Sequence, residues 1–342
     1  MSDYQKSQRF EDLIVSDKNG SYRVIPQTTY ADKQIAIFTR QIQEGLHPLL
    51  NESNSEEPIH NPVTGNVFKG KNQLFLAAEM LDRGHTDRRF MMYSDPMLYR
   101  DPSSGLMPTN AFVRPKKFES EKIAYQITTI TYKNIQEVEI DGKLVEKEIS
   151  LTKPRTLYPL VYNAQDIIGL PLPQKIVSSE FEENLVKDLI KSNKIVVMEG
   201  SDTRVRIDSS KNTIYVPAES AVRNEGEYFS KIITGVVMIK SDQNYGSKPE
   251  LESTKALRYD MAQYMFTKQN GLAFYPQAFP GHVKEWPEFV NANKNNIFMV
   301  SNTASSITAN MERDILQVRG FVQSHNQERQ PTLQRNGIER SL

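Results

Sequence analysis

Asn61-Pro62-Val63-Thr64-Gly65-Asn66-Val67-Phe68-Lys69-Gly70-Lys71-Asn72 (NPVTGNVFKGKN) is the stretch that decides how the rest of the chain is read. From Gly65 onward it comes within one residue of GxxxxGK[ST], a loop whose backbone N–H groups and Lys cradle phosphates while a hydroxyl ligates magnesium. Asn72 stands where that hydroxyl is needed. Upstream, Glu56 to Thr64 is polar and carries prolines, whereas a phosphate loop follows a buried strand. The nucleotide-cradling reading is therefore rejected. What remains is a shaped turn: Asn61-Pro62 favours chain reversal, Gly65 and Gly70 permit positive φ, and the segment runs into the start of a helix.

Before this turn, Ala31, Ile35, Phe38 and Ile42 recur at helical spacing between a Thr and Gly45, which predicts an amphipathic helix over Thr29 to Glu44. A polar linker, Asn51 to Glu57, follows. After the turn, Gln73 to Arg83 is expected to be a short helix stopped by Gly84. The period then changes to two: Ile123, Tyr125, Ile127, Thr129 and Thr131 alternate with their neighbours, and Asp141-Gly142 is a hairpin signal between two strand-like runs. Lys153-Pro154 and Gly169 to Pro173 are stiff and mark the candidate boundary. Beyond it, Phe181, Leu185 and Leu189 share a helical face, short strands are expected at Ile195 to Met198, Val205 to Ile207 and Thr213 to Val216, and helices resume near Gly226.

With 342 residues, two domains of about 100–200 residues each are expected. The fold class is α+β: an arm over 1–28, an N-terminal domain with antiparallel strands over 29–173, a mostly helical domain over 174–318, and a polar, Arg-bearing tail over 319–342. The 42 basic and 42 acidic side chains cancel, so any polyanion site must be a local patch. The absence of cysteine excludes disulfides, thiolate nucleophiles and Cys-ligated metals. Neither a signal-peptide core nor a bilayer-length apolar run is found, which predicts a soluble protein of the cytoplasm.

The order of these features resembles the N-terminal single-stranded-DNA-binding domain of the ArdC antirestriction family, whose N-P-x-T-G-x-x-(aromatic)-x-G-x-N segment is matched from Asn61 to Asn72. Ile35 to Pro48 is similar to that family's helix ending in Gly and Pro, Arg88 to Tyr93 to its strand, Val113 to Lys117 to its basic turn, and Leu157 to Pro171 to its closing segment. Two departures stand out: Leu49 and Leu50 replace the family's tryptophans, and Tyr93 to Phe112 contains an insertion. A single strand is held by cations that track phosphates and by aromatic faces on which bases stack. Lys69, Lys71, Arg88, Arg89, Arg114, Lys116 and Lys117 supply the first, and Phe90 and Tyr93 the second. Alternating aromatics in strands also build cores, and that alternative stays open here.

The second half is similar to the zincin-like peptidase domain of the same family, where HExxH on a helix puts two imidazoles and a general base on one face. The matching helix is Glu227 to Lys240, with Thr234 and Met238 at the histidine positions and Gly235 at the base position. On the next helix Lys255 and Ala256 occupy the acidic positions, and Asp260 is the nearest carboxylate. The histidines are 47, 60, 85, 282 and 325, expected on surfaces or loops, so residues 86–281 contain neither His nor Cys. No catalytic residue, metal or cofactor is expected. A mid-helix Gly costs about 1 kcal/mol relative to Ala, so replacing Gly235 is expected not to harm its helix.

The resemblance implies a non-enzymatic accessory protein of a phage or mobile genetic element that binds single-stranded DNA in an antirestriction or DNA-protection role. The alternative is a structural or assembly protein of a phage or satellite that reuses an inactive scaffold to bind protein. The replaced catalytic triad, the missing tryptophans and the near-neutral total charge favour this alternative. Neither reading needs a membrane, and both leave homo-oligomerisation open.

Overall fold

The computed structural model describes residues 14–17, 20–23, 27–53, 57–92, 95, 99–100, 125–140, 143–167, 170, 181–246, 249–278, 280–293 and 295–328. In chain order the strands are β1 (Ile14–Asp17), β2 (Gly20–Arg23), β3 (Phe90–Met91), β4 (Tyr125–Gln126), β5 (Thr129–Ile140), β6 (Lys143–Leu157), β7 (Leu160–Asn163), β8 (Val196–Gly200), β9 (Arg206–Asp208) and β10 (Thr213–Pro217). The helices are α1 (Gln27–Gln43), α2 (Lys71–Arg83), α3 (Phe181–Ser192), α4 (Glu225–Tyr245), α5 (Glu252–Gln269), α6 (Pro280–Ala292) and α7 (Asn296–Glu328). The α+β class expected from the sequence is the one observed. Packing divides the chain into two units, residues 1–177 with 248–306 and residues 178–247 with 307–342. Neither unit is contiguous in sequence, since each is completed by a segment from beyond the other.

In the first unit the periodicity of α1 is realised directly: Ala31, Ile35, Phe38 and Ile42 are all buried, and Gly45 follows at φ 71°. The helix begins at Gln27, two residues before the expected start. It packs on α2 and α6. Helix α2 ends as expected at Gly84, whose left-handed φ of 70° turns its N–H back onto the Met80 and Leu81 carbonyls. Its buried face meets a small antiparallel sheet of order β3-β7-β4, and Ile59, Leu76, Met80, Phe90, Tyr125, Ile127 and Val161 form one core. Strands β5 and β6 form a separate antiparallel ribbon with Ile140 opposite Lys143, so two residues connect them where Asp141-Gly142 was expected to turn. A short hairpin, β1–β2, lies within the stretch expected to be an arm.

One expectation is corrected: Lys153-Pro154 lies inside β6, not in a connection. The ladder explains why a proline is tolerated there. Pairing jumps from Thr131↔Arg155 to Lys133↔Ser150, so Pro154 falls in a bulge where no ladder N–H is required.

In the second unit β10 is central, parallel to β8 and antiparallel to β9. Helix α4 packs on β10, and α3 packs on α4 through a face that buries Leu185 and Leu189. Helix α7 continues to Glu328, past Arg319 where the polar tail was expected to begin. No helix among the described residues is long and apolar enough to cross a membrane.

Candidate nucleic-acid interface

The Asn61–Asn72 turn is built by its own amides. Asn61 Oδ1 accepts from the backbone N–H of Val63 (2.9 Å) and Thr64 (3.3 Å), its Nδ2 donates to Asp95 Oδ2 (2.6 Å), and the Gly65 N–H closes onto the Asn61 carbonyl (2.9 Å). Gly65 at φ 71° supplies the left-handed step that this turn requires. Asn72 pairs with the backbone of Thr128 through both amide atoms, each at 2.8 Å. Gln73 does the same to Ile59, donating from Nε2 to its carbonyl (3.0 Å) and accepting from its N–H (3.4 Å). Asn72 therefore takes the place of a strand partner for Thr128, and Gln73 adds to the backbone pairing of Ile59. The structural meaning of the motif, shaping the loop, is what the geometry displays.

Gly70 and Lys71 are docked against other helices of the same unit. The Gly70 N–H donates to Gln269 Oε1 (3.0 Å), the Lys71 N–H to Ser305 Oγ (2.9 Å), and Lys71 Nζ to Asn302 Oδ1 (2.7 Å). A Cβ on Gly70 would lie 2.7 Å from Ser305 Oγ, and φ is +56°, so the position excludes other residues twice over. Lys71 Nζ also sits 5.9 Å from the Phe298 ring centroid, and burial lowers the pKa of its amine.

The loop is joined to the β3 region by backbone bonds: Phe68 N–H to the Ile59 carbonyl (2.9 Å), His60 N–H to the Arg88 carbonyl (3.1 Å) and Phe90 N–H to the His60 carbonyl (2.9 Å). The backbones of Val67-Phe68, Ile59-His60 and Arg88 to Phe90 thus run side by side. Of the sequence-predicted contacts, Lys69 is exposed and Lys71 and Arg88 are half-buried. Arg89 is buried, and its guanidinium donates to both carboxylate oxygens of Asp87, Nε to Oδ1 at 3.0 Å and Nη2 to Oδ2 at 2.7 Å. Phe90 is fully buried, edge-on to Tyr125 at 4.9 Å between centroids. Its assignment as a stacking face is thereby corrected: β3 pairs with β7 and its side chains enter the core. Tyr93, Arg114, Lys116 and Lys117 lie outside the described residues. Sequence reasoning missed Asp87, two residues before Arg89 and just ahead of β3, as the partner that engages it.

On α4, Thr234 is buried and its hydroxyl donates to the Ser230 carbonyl (2.9 Å), one turn back in the same helix. Gly235 abuts β10: a Cβ there would lie 2.4 Å from Ile214 Cγ2. Met238 is half-buried. The expectation that Gly235 can be replaced without harm is therefore corrected, because the glycine is the contact between helix and strand. His47 departs from surface placement. It is 1% exposed, caps the short 3-10 turn Pro48–Leu50 by accepting the Leu49 N–H at Nδ1 (3.2 Å), and burial pushes its pKa down to about 3.

No family model matches the chain. Among curated proteins, a DNA primase TraC from Escherichia coli is 21% identical over 258 residues, covering 72% of this chain and 23% of that protein. Another DNA primase TraC from Escherichia coli is 22% identical over 316 residues, 89% of this chain and 21% of the primase. The chain thus spans less than a quarter of the length of these relatives. Among solved structures, the metal-free antirestriction protein ArdC from plasmid R388 superposes with a TM-score of 0.57 at 14% identity, over 84% of this chain and 98% of that one. The chain has the ArdC fold. The Mn(II)-bound form of ArdC gives 0.55 at the same identity, over 85% and 98%. At the three positions that the sequence resemblance singled out stand a hydroxyl donating to its own helix at Thr234, a glycine closed off by Ile214 at 235, and the thioether of Met238. Among the described residues no group of three or more His, Asp or Glu side chains is arranged to hold a metal ion.

Proposed function

We propose that this chain binds single-stranded DNA as a non-enzymatic accessory protein of a plasmid, phage or other mobile genetic element, in an antirestriction or DNA-protection role. The observation that carries the reading is the three-segment ladder, which brings the Lys69–Lys71 loop beside Arg88 from some twenty residues away in sequence. The ArdC fold and the likeness to TraC proteins support it, since the one neighbour is named as an antirestriction protein of a plasmid and the relatives as DNA primases. In this reading Lys69 and Arg88 contact phosphates together with Arg114, Lys116 and Lys117, and Tyr93 supplies the stacking face that Phe90 does not. Arg89 supports the strand through Asp87. Cofactors and chemistry are not needed.

The test is fluorescence anisotropy with a single-stranded oligonucleotide across a salt series. Lys69→Glu and Arg88→Ala should each weaken binding to all sequences alike and reduce the salt slope by about 0.7 per lost phosphate contact. Absence of binding by the wild-type protein at low salt would defeat the proposal and leave the protein-assembly alternative, which the internal engagement of Arg89 and Phe90 favours.

A further inference from the structure

The first unit contains an open cleft of about 950 Å³ between the C-terminal end of α1, the 3-10 turn Pro48–Leu50 and helix α6. That lies within the roughly 300–1,000 Å³ typical of small-molecule sites. It is separate in composition from the basic loop. Its walls are apolar and stiff: Leu49, Leu50 and Val283, with Pro276, Pro280 and Pro287, whose rings hold φ and bring no N–H donors. Carboxylates outnumber cations among its charged lining residues, with Asp260, Glu44 and Glu288 against Lys284. The lining amide of Asn291 is already donating to Thr39 Oγ1 (3.1 Å) and the Pro287 carbonyl (2.8 Å). The cleft therefore offers acceptors and negative charge around an apolar body, the opposite of what a phosphate requires.

We propose that this cleft binds a small organic cation, an amine or guanidinium carried on an apolar body, with Asp260 as its counter-ion. Asp260 is 1% exposed on α5, and its Oδ2 accepts the Ala278 N–H (3.1 Å), which fixes the carboxyl at the cleft and anchors the turn after α5. Burial pushes its pKa up to about 7, opposed by the backbone N–H groups of Ala278 and Gln277. A cation entering the cleft favours the ionised form, so binding below pH 7 displaces a proton from Asp260 into solvent. Glu44, just past the end of α1, and Lys284 and Glu288 on α6 line the same space. His47, ahead of the 3-10 turn, stays neutral throughout this range. The site is independent of the DNA-binding reading, and an oligonucleotide should not compete for it.

Isothermal titration of the full chain with 2-phenylethylamine and its neutral counterpart 2-phenylethanol tests this. The amine should bind at least about tenfold more tightly at pH 8, lose about tenfold per unit below pH 7, and release close to one proton at pH 6, read from buffers of different ionisation enthalpy. A lysine-bearing tripeptide run in parallel separates sources of the same group: tighter binding of the free amine assigns the site to a small molecule, and preference for the peptide overturns that assignment. Asp260→Asn keeps an acceptor for the Ala278 N–H, and it should abolish both the amine's advantage and its pH dependence while leaving the alcohol unchanged. The proton release needs no variant, so the inference remains testable if Asp260→Asn fails to fold. Equal affinity for amine and alcohol, undetectable amine binding, or amine affinity untouched in Asp260→Asn would each overturn it.

Discussion

Replacing Gly235 by Ala sets two known effects against each other. In an exposed helix the change should stabilise by about 1 kcal/mol, because Ala restricts the unfolded chain and keeps the helix. Here the new Cβ would lie 2.4, 2.8 and 2.9 Å from Ile214 Cγ2, Cδ1 and Cγ1. Ile214 is fully buried on the central strand β10 and has no solvent to swing into. Overpacking of this kind costs about 1–3 kcal/mol, and three simultaneous overlaps put the site at the upper end. The net expectation is a loss of about 1–2 kcal/mol for Gly235→Ala, and more for Gly235→Glu, which adds a buried carboxyl. Urea unfolding followed by circular dichroism reads it as a lowered midpoint at unchanged slope. Ile214→Ala alone should cost about 2–5 kcal/mol, and in the double variant the alanine methyl at 235 fills part of the vacated space, giving a favourable coupling of about 1–2 kcal/mol. A Gly235→Ala protein as stable as wild type would refute the seating of α4 on β10.

Phe90→Ala should lower stability by about 3–5 kcal/mol, because it empties the centre of the α2–sheet core. Oligonucleotide affinity of the fraction that remains folded, measured well below its melting temperature, should match wild type; an affinity lowered by about 1–3 kcal/mol with an intact melt would return Phe90 to the interface as a stacking face. For His47 the folded pKa is depressed to about 3, so its contribution is fully present above the unfolded value near 6.5 and is lost as pH falls toward 3. Stability should therefore decline by up to about 1.4 kcal/mol per pH unit below 6 from this group, and His47→Gln should flatten that slope in denaturant titrations between pH 4 and 7.

Much of the local structure was legible. The apolar stripe of Ala31, Ile35, Phe38 and Ile42 dictates a helix whatever it packs on, and Asp141-Gly142 between alternating runs dictates a hairpin. Periodicity says that a face is buried, not against what, so nothing in the sequence pairs α1 with α6 or α2 with α5. The candidate interface was legible only as residue types. Arg89 and Lys69 look alike in a list of cations, and only the Asp87 carboxylate, folded back onto Arg89, distinguishes them. Asn72 reads as a failed magnesium ligand until Thr128, 56 residues later, arrives as its partner. Pro154 reads as a linker because the bulge that accommodates it is a property of two strands, not one.

The interrupted composition of the first unit imposes an order of events on synthesis. Helices α5 and α6, which cover α2 and α1, lie beyond the 178–247 segment that belongs to the other unit. The roughly 130 residues separating 177 from 306 take on the order of ten seconds to translate at about 5–20 residues per second. Throughout that interval the apolar faces of α1 and α2 have emerged without their cover, while the intervening segment can already begin to fold. A fragment ending near residue 173 would remain in that state permanently, with Phe75 and Phe38 turned toward water, and would be expected to require chaperones or to aggregate.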